Sequence, residues 1–261
     1  MVNIKKQTIS VVIPVKDRFE LAAVSIYSVI NQKNIIDELV VVDDGSIVLA
    51  EIALVHVFEH AKSLGINVVN VRHQYCKGVS EARNTGFNIS TSDIICFCDS
   101  DDFWLPQKTS VVKEIMSDTK ILVLFHSFYW DYKRLLLFRL LPFGRLIFLP
   151  RHLMLLFGFL NPSCLSIKRT AYGNGFDSDI KYHEDLEYFL RLSTIEKIWF
   201  FNYPLMFMGR IPGSAGGASS YIKNMRKGAI NALKPNITIS FDGLLAACKT
   251  VYHYVMLFID R

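Results

Sequence analysis

The sequence lacks the features that mark a secreted, disulfide-stabilised or membrane-spanning protein. Its five cysteines are odd in number and include no CxxC pair, so we expect reduced thiols in a cytosolic protein rather than a disulfide framework. No uncharged apolar run reaches the length of about 18 residues that a spanning helix needs. The apolar stretch from Ile9 is broken by Pro14 and followed by charged residues, which is unlike a signal peptide.

One long segment lacks acidic residues altogether. Between residues 132 and 176 there is no Asp or Glu, whereas Lys and Arg occur seven times, in a chain with a net charge of +5. Pro142 and Pro150 interrupt the aliphatic clusters between the basic residues, so we expect a helical insertion over 132–160 made of more than one helix. Basic and apolar residues together suit a peripheral contact with an anionic membrane surface; a solvated face of a packed helix is the alternative. The aliphatic character argues against a nucleic-acid partner.

What the sequence contains is a regular alternation of strand and helix patterns. Apolar, β-branched runs predict strands at 9–15, 39–42, 67–71, 94–98 and 121–128. Helical patterns predict helices at 20–31, 47–63, 78–88 and 106–116. This alternation predicts an α/β fold with a mostly parallel central sheet flanked by helices. Ligands of such sheets bind beyond the carboxyl ends of the strands.

The most informative stretch is the acidic turn that follows the run 94–98. Asp99, Asp101 and Asp102 lie within four residues, and three carboxylates cannot pack together in a core because they repel and are costly to desolvate. A cation is therefore expected there. Oxygen ligands suit Mg²⁺ or Mn²⁺, which often share their coordination shell with a substrate phosphate. The sequence thus predicts a metal site that holds a diphosphate.

Two further acidic clusters allow more than one interpretation. The segment Asp43–Ser46 is either a turn, with Gly45 in a left-handed conformation and Ser46 as a helix cap, or a carboxylate site for a nucleobase or ribose. A dinucleotide site is disfavoured because no GxGxxG follows the first strand. Glu184 and Asp185 open an amphipathic helix, where acids also serve simply to complement the helix dipole.

Several segments, in their order and spacing, resemble family 2 glycosyltransferases. The resemblance extends over roughly residues 8–215 and rests on segments 11–15, 41–46, 78–86, 99–102, 175–177, 183–185 and 189–192. It implies the nucleotide-diphospho-sugar transferase fold called GT-A, and a transfer that inverts the anomeric configuration.

The resemblance also implies how a nucleotide-diphospho-sugar would be bound. Pro14 and Val15 would contact the nucleotide base through the backbone, and Asp44 would bind the base. Arg83 would lie near the diphosphate or brace the nucleotide pocket. Asp99 would contact the ribose.

The same resemblance implies the chemistry. Asp101 would coordinate Mn²⁺ or Mg²⁺, helped by Asp102, and the metal would neutralise the charge that grows on the leaving diphosphate. Asp185, with Glu184 as its neighbour, would be the base that removes a proton from the acceptor hydroxyl. One displacement then inverts the anomeric carbon.

The absence of a QxxRW motif and of a clear membrane span separates this chain from the processive members of that family. We therefore expect a bacterial single-addition transferase, peripheral on the cytoplasmic face of the membrane, that extends a polyprenyl-diphosphate-linked glycan in O-antigen or capsule synthesis. The expected donor is UDP-glucose or UDP-galactose. A sugar-nucleotide synthesising or cleaving enzyme, or a non-catalytic membrane-associated partner of a glycan assembly complex, are the alternatives.

The expected domain organisation is a transferase domain over 1–218 and a helical extension over 219–261. The apolar run 244–259 predicts a helix in that extension. It can pack on the domain, pair with a second copy in a homodimer, or lie on the membrane.

Overall fold

The computed structural model describes residues 7–130, 133–134, 142–157, 160–209, 221–237 and 240–259. In this part of the chain one sheet of ten strands is flanked by helices. The strands are β1 (Ile9–Val15), β2 (Glu38–Asp43), β3 (Asn67–Arg72), β4 (Ile94–Phe97), β5 (Phe103–Trp104), β6 (Val123–Trp130), β7 (Lys133–Arg134), β8 (Leu146–Phe148), β9 (Ser166–Lys168) and β10 (Ile198–Met208). The helices are α1 (Phe19–Ile30), α2 (Ala50–Ala53), α3 (Val55–Ser63), α4 (Val79–Ile89), α5 (Lys108–Met116), α6 (Arg151–Phe157), α7 (Glu184–Ile195), α8 (Ile222–Leu233) and α9 (Phe241–Ile259), with short 3₁₀ turns at Pro162–Cys164, Arg169–Ala171 and Lys234–Asn236.

The first half of the sheet is parallel, in the order β3-β2-β1-β4. Every residue of β1, β2 and β4 is buried, because helices cover both faces of such a sheet, and this explains their nearly continuous apolar sequences. The predicted strands and the α/β class are confirmed here. The predicted helix 47–63 is instead two helices, α2 and α3, separated at Leu54, where φ is −111°.

The second half of the sheet is mixed. Strand β9 pairs antiparallel with both β4 and β6, whereas β10 pairs parallel with β6. The predicted parallel arrangement therefore holds from β3 to β4 and again for β6 with β10, whereas the antiparallel β9 between β4 and β6 was not predicted. A three-residue strand such as β9 carries too short a pattern to be recognised in a sequence.

The basic segment 132–160 is not wholly helical, which corrects the sequence prediction. Leu146–Phe148 forms β8, antiparallel to residues 199–201 of β10, so its apolar side chains belong to the sheet. Only Arg151–Phe157, after Pro150, is helical in the described part. The described residues do not include 131–132, 158–159 or 135–141, the last of which contains Arg139.

The C-terminal helices pack on the rest of the chain. The ammonium of Lys249 in α9 donates to the carbonyl oxygen of Leu155 in α6 at 2.8 Å. Helix α8 lies so close to the segment before α7 that a Cβ at Gly228 would overlap the carbonyl oxygen of Tyr182. The predicted helix 244–259 is confirmed as α9. Across the described ranges, no helix has both the length and the apolar character to span a bilayer.

Candidate active site

The polar clusters predicted from the sequence meet at the carboxyl edge of the parallel strands. Strand β1 ends at Val15, between β2 and β4. The N–H of Asp44, just beyond β2, donates to the Val15 carbonyl oxygen at 2.8 Å, and the N–H of Cys98, just beyond β4, donates to that of Val12 at 3.0 Å. Pro14 and Val15 therefore lie at the centre of this edge, both buried.

Asp44 organises the loop that follows β3. Its Oδ1 lies 2.8 Å from His73 Nδ1 and accepts the N–H of Lys77 at 2.8 Å; its Oδ2 accepts the N–H of Gly78 at 2.9 Å and the thiol of Cys76 at 3.1 Å. Burial alone would raise the pKa of Asp44, but these hydrogen bonds outweigh it and hold the pKa below the usual value. Asp44 is thus a charged carboxylate with four partners.

The turn after β2 is built by Asp43 rather than by Ser46. Asp43 accepts the N–H of Ser46 at 2.8 Å and that of Ala50, at the start of α2, at 3.2 Å. Ser46 caps no helix; its hydroxyl accepts the N–H of Asp17 at 2.8 Å. Gly45 has φ +72°, and a Cβ there would lie 2.7 Å from the backbone of the loop held by Asp44, so glycine is needed for this close approach.

The acidic turn after β4 is held by two serines. The hydroxyl of Ser163 donates to Asp102 Oδ2 at 2.6 Å and accepts the N–H of Asp99 at 2.9 Å. The hydroxyl of Ser25 lies 2.7 Å from the carbonyl oxygen of Asp102 and 3.1 Å from that of Asp99. Asp102 Oδ1 also accepts the N–H of Gly209 at 3.1 Å. Both ends of the turn are therefore fixed from the protein side.

Asp102 and Asp101 differ in their surroundings. Asp102 is 3% exposed, and burial, followed by the charges of Asp99 and Asp101, raises its pKa to about 8. Asp101 is half-buried. A Cβ at Gly209 would overlap the carbonyl oxygen of Asp101, so the residue that follows β10 packs directly on the turn.

Arg83 connects the acidic turn to the start of α7. Its guanidinium, 3% exposed, donates to Asp99 Oδ1 at 2.8 Å and to Glu184 Oε1 at 3.1 Å. Burial would lower the pKa of Arg83, but the charges of Asp99, Glu184 and Asp185 outweigh it and raise the pKa. The guanidinium also lies 5.1 Å from the centroid of the Phe176 ring. One buried cation thus joins both carboxylate clusters.

Glu184 and Asp185 begin α7 after His183, whose φ is +59°. Burial, and then the charge of Asp185, raises the pKa of Glu184. Burial also raises the pKa of Asp185, against the lowering effects of the Leu186 N–H, which lies 2.7 Å from Asp185 Oδ1, and of Arg83. A carboxylate with a raised pKa is a stronger proton acceptor than an ordinary aspartate.

The donor set of the acidic turn fits a divalent cation that shares its ligands with a substrate. In the described part of the chain no three His, Cys, Asp or Glu side chains form a metal-binding group, so a cation there would need ligands from a substrate as well. Mg²⁺ in phosphate sites is usually held by one or two carboxylates together with the substrate phosphates. An oxygen-only turn centred on Asp101 meets that requirement.

The structure thus brings together the residues that the sequence singled out at one edge of the sheet. Sequence reasoning missed Ser163, Ser25, Gly209 and His73, whose hydrogen bonds hold those residues in place. None of them carries a local signal, because each acts on a residue far away in the sequence.

The comparisons with known proteins identify the family. The sequence profile described as Glycosyl transferase family 2 matches residues 10–224. The chain is 27% identical over 199 residues to the amylovoran biosynthesis glycosyltransferase AmsB of Erwinia amylovora, covering 73% of this chain and 65% of that protein. It is 32% identical over 62 residues to the UDP-Glc:alpha-D-GlcNAc-diphosphoundecaprenol beta-1,3-glucosyltransferase WfaP of Escherichia coli, covering 24% of this chain and 25% of that protein. The chain thus spans less than two thirds of either relative.

Solved structures share the fold. The S. aureus TarS 1-349 structure in complex with UDP matches with a TM-score of 0.69 and 14% identity, covering 95% of this chain and 70% of that chain. The mannosyltransferase PcManGT from Pyrobaculum calidifontis in complex with GDP-Man and Mn²⁺ matches with a TM-score of 0.69 and 14% identity, covering 97% and 76%. These likenesses confirm the predicted GT-A fold.

Proposed function

The chain belongs to glycosyl transferase family 2, and we propose that it transfers one sugar from a nucleotide-diphospho-sugar to a hydroxyl group of a polyprenyl-diphosphate-linked glycan, with inversion at the anomeric carbon. The observation that carries this proposal is the buried Arg83, which joins Asp99 in the acidic turn to Glu184, the neighbour of Asp185. One arginine connects the carboxylates assigned to the donor with the carboxylate assigned to the acceptor.

On the donor side, the nucleotide base would lie against the ends of β1 and β2, in contact with the backbone of Pro14 and Val15. Asp44 would position the loop that contacts the base. It would also bind the base directly by accepting a hydrogen bond from a base N–H that replaces one of its four donors. Asp99 would accept hydrogen bonds from the ribose, and Arg83 would brace it. Two relatives are named as UDP-Glc transferases, which favours UDP-glucose over UDP-galactose.

The leaving diphosphate would lie beside Asp101, with Asp102 behind it. A Mn²⁺ or Mg²⁺ ion held there supplies Lewis-acid stabilisation of the charge that develops on the leaving group. The protein's part is to keep the turn rigid through Ser163, Ser25 and Gly209, so that the oxygens of Asp101 need little reorganisation when the substrate arrives.

Asp185 would act as the general base. Its carboxylate would take the proton of the acceptor hydroxyl while that oxygen attacks the anomeric carbon, and a positioned base contributes about 10²–10⁴-fold to such a step. The raised pKa of Asp185 suits this role. Arg83, by binding Glu184, would fix the first turn of α7 relative to the donor.

The acceptor would be presented at a membrane surface on the cytoplasmic side. Helix α9 exposes Leu244, Val251 and Tyr252 along one face, and Phe143 and Phe148 are exposed in the basic segment. Apolar side chains of this kind, with basic residues nearby, suit the membrane interface. Docking of a second copy on the same face is the other outcome that a test must distinguish.

A donor screen tests the proposed reaction. The protein would be incubated with Mn²⁺ or Mg²⁺, each common nucleotide sugar and a lipid-diphosphate-linked GlcNAc acceptor, with Asp101→Ala and Asp185→Ala alongside. We expect metal-dependent addition of one sugar, lost in both variants. Release of nucleotide without glycosylation of the acceptor would favour a sugar-nucleotide cleaving enzyme. Absence of both turnover and nucleotide binding would favour a non-catalytic partner of an assembly complex.

Vesicle binding tests the membrane contact. Charge reversal of Arg139 and Arg145 should weaken sedimentation with anionic vesicles, because each basic residue near such a surface is worth about 1 kcal/mol. Lys62→Glu, at an exposed position of α3, is the matched control. Unchanged binding in the double variant would contradict the membrane contact, and a concentration-dependent dimer in sedimentation would assign the apolar face to a second copy.

A further inference from the structure

Lys108, the first residue of α5, is completely enclosed by the core, with an exposed fraction of 0%. Its ammonium donates to the carbonyl oxygen of Ser163 at 2.6 Å and lies 3.6 Å from the centroid of the Trp104 ring. Among the residues that the structure describes, it has no salt-bridge partner. Lysine is almost never fully buried without one, because desolvation of the ammonium is costly. Its location therefore needs an explanation.

Ser163 connects this ammonium to the acidic turn. Its carbonyl oxygen accepts from Lys108, and its hydroxyl donates to Asp102 Oδ2 and accepts the N–H of Asp99. Ser163 is itself 0% exposed, and its N–H donates to Asn161 Oδ1 at 2.7 Å. A continuous chain of hydrogen bonds thus runs from the buried cation to both ends of the turn.

The other groups around Lys108 do not neutralise it. Cys96, Cys98 and Cys164 are the nearby titratable thiols, and burial raises the pKa of each, so they remain uncharged at neutral pH. Burial lowers the pKa of Lys108 itself, and the nearby Asp102 opposes this only in part. What Lys108 supplies to the acidic turn is therefore its hydrogen bond to the Ser163 carbonyl oxygen, made from the buried side of the turn.

We propose that Lys108 is a positioning residue for nucleotide and metal binding, which acts through Ser163 to hold Asp99 and Asp102 in their binding arrangement. This inference rests on the proposed function of the turn. Lys108 does not reach the substrate itself. It fixes Ser163, which forms hydrogen bonds with both ends of the turn. A small displacement of Ser163 would be enough to misplace a binding group.

The test compares Lys108→Met with Ser163→Ala by calorimetric titration of UDP in the presence of Mn²⁺. Methionine keeps the length and apolar character of the side chain but removes its charge and its N–H donors. We expect at least a tenfold loss of UDP affinity in each variant. Because both substitutions break the same chain of hydrogen bonds, the double variant should bind about as weakly as the weaker single variant rather than showing the product of the two losses.

Lys113→Met is the matched control on the same helix. The Lys113 ammonium pairs with Asp37 at 3.2 Å, away from the turn, so this substitution should affect stability and leave UDP affinity unchanged. Wild-type UDP affinity in Lys108→Met, or multiplied losses in the double variant, would overturn the proposal. If Lys108→Met does not fold, Ser163→Ala decides: wild-type affinity in that variant would equally overturn it. A wild-type protein that fails to bind UDP would instead contradict the proposed function.

Discussion

The two carboxylate clusters of the site are compensated in different ways. At the acidic turn, neutral donors from Ser163 and Gly209 hold the buried Asp102, and Arg83 binds Asp99 at the other end of the turn. At the start of α7, a full positive charge from Arg83 binds Glu184, and Asp185 has a raised pKa. A turn that carries three acids and is fixed largely by neutral hydrogen bonds is suited to a cation, whereas Asp185, beside the ion pair of Glu184 with Arg83, is suited to taking a proton. Arg83 links the two clusters through its ion pairs with Asp99 and Glu184.

The largest expected effect comes from removing the proposed base. Asp185→Asn keeps the shape of the side chain but cannot accept the proton, so transfer should fall by about 10²–10⁴-fold. The affinity for UDP with Mn²⁺ should stay within about twofold of wild type, since the acidic turn is untouched. Single-turnover assays with saturating donor would measure the loss. A transfer rate near that of wild type would show that the base is elsewhere.

Replacing Arg83 should affect both carboxylate clusters at once. Arg83→Met removes the buried cation from two partly buried carboxylates, Asp99 and Glu184. The lower end of the range for buried pairs, about 3 kcal/mol, applies because water still reaches both carboxylates. We expect that loss in the free energy of unfolding by denaturant titration, together with weaker UDP binding. Arg191→Met is the control, because the partly exposed Arg191 pairs with Glu187 at 2.8 Å and donates to the Gly175 carbonyl oxygen at 2.6 Å. A partly exposed pair contributes about 1 kcal/mol or less and a hydrogen bond about 0.5–1.5 kcal/mol, so the loss should be smaller than in Arg83→Met. Equal losses in the two variants would contradict the special role of Arg83.

Crowding the acidic turn should affect the donor side alone. Gly209→Ala introduces a Cβ against the Asp101 carbonyl oxygen, and relieving such overpacking costs about 1–3 kcal/mol. UDP affinity with Mn²⁺ should fall because the turn must shift. Gly65→Ala meets no atom within 4 Å but has φ +79°, so it should reduce stability without changing UDP affinity. Unchanged affinity in Gly209→Ala would show that the turn tolerates displacement.

The smallest effect concerns stability and pH. The pKa of Asp185 is raised in the folded state, mainly by burial, so the folded protein holds this proton to a higher pH than the unfolded chain does. Stability therefore declines as pH rises through the folded pKa. Asp185→Asn, which is uncharged at every pH, should be more stable than wild type at neutral pH, with a difference that shrinks toward pH 4. Thermal unfolding at both pH values measures this, and a variant less stable than wild type at neutral pH would contradict the raised pKa.

Part of the site could be predicted from the sequence and part could not. Strands β1, β2 and β4, and the clusters that follow them, have strong local patterns, so the edge where they meet was predictable. The partners of those clusters were not, since Ser163 and Gly209 are separated from Asp102 by 61 and 107 residues, and only folding brings them together. The buried Lys108 was likewise invisible, because a lysine at the start of a helix is normally solvated. The position of Asp44 at the end of a strand was predictable from the sequence, whereas its four hydrogen-bond donors were not.

The most direct test of the account is a paired calorimetric titration of UDP, in the presence of Mn²⁺, into Asp101→Asn and Asp185→Asn. We predict that Asp101→Asn loses metal-dependent binding, whereas Asp185→Asn binds UDP as wild type does while being unable to transfer sugar. Binding lost in Asp185→Asn, or retained in Asp101→Asn, would contradict the division of roles between the two carboxylate clusters.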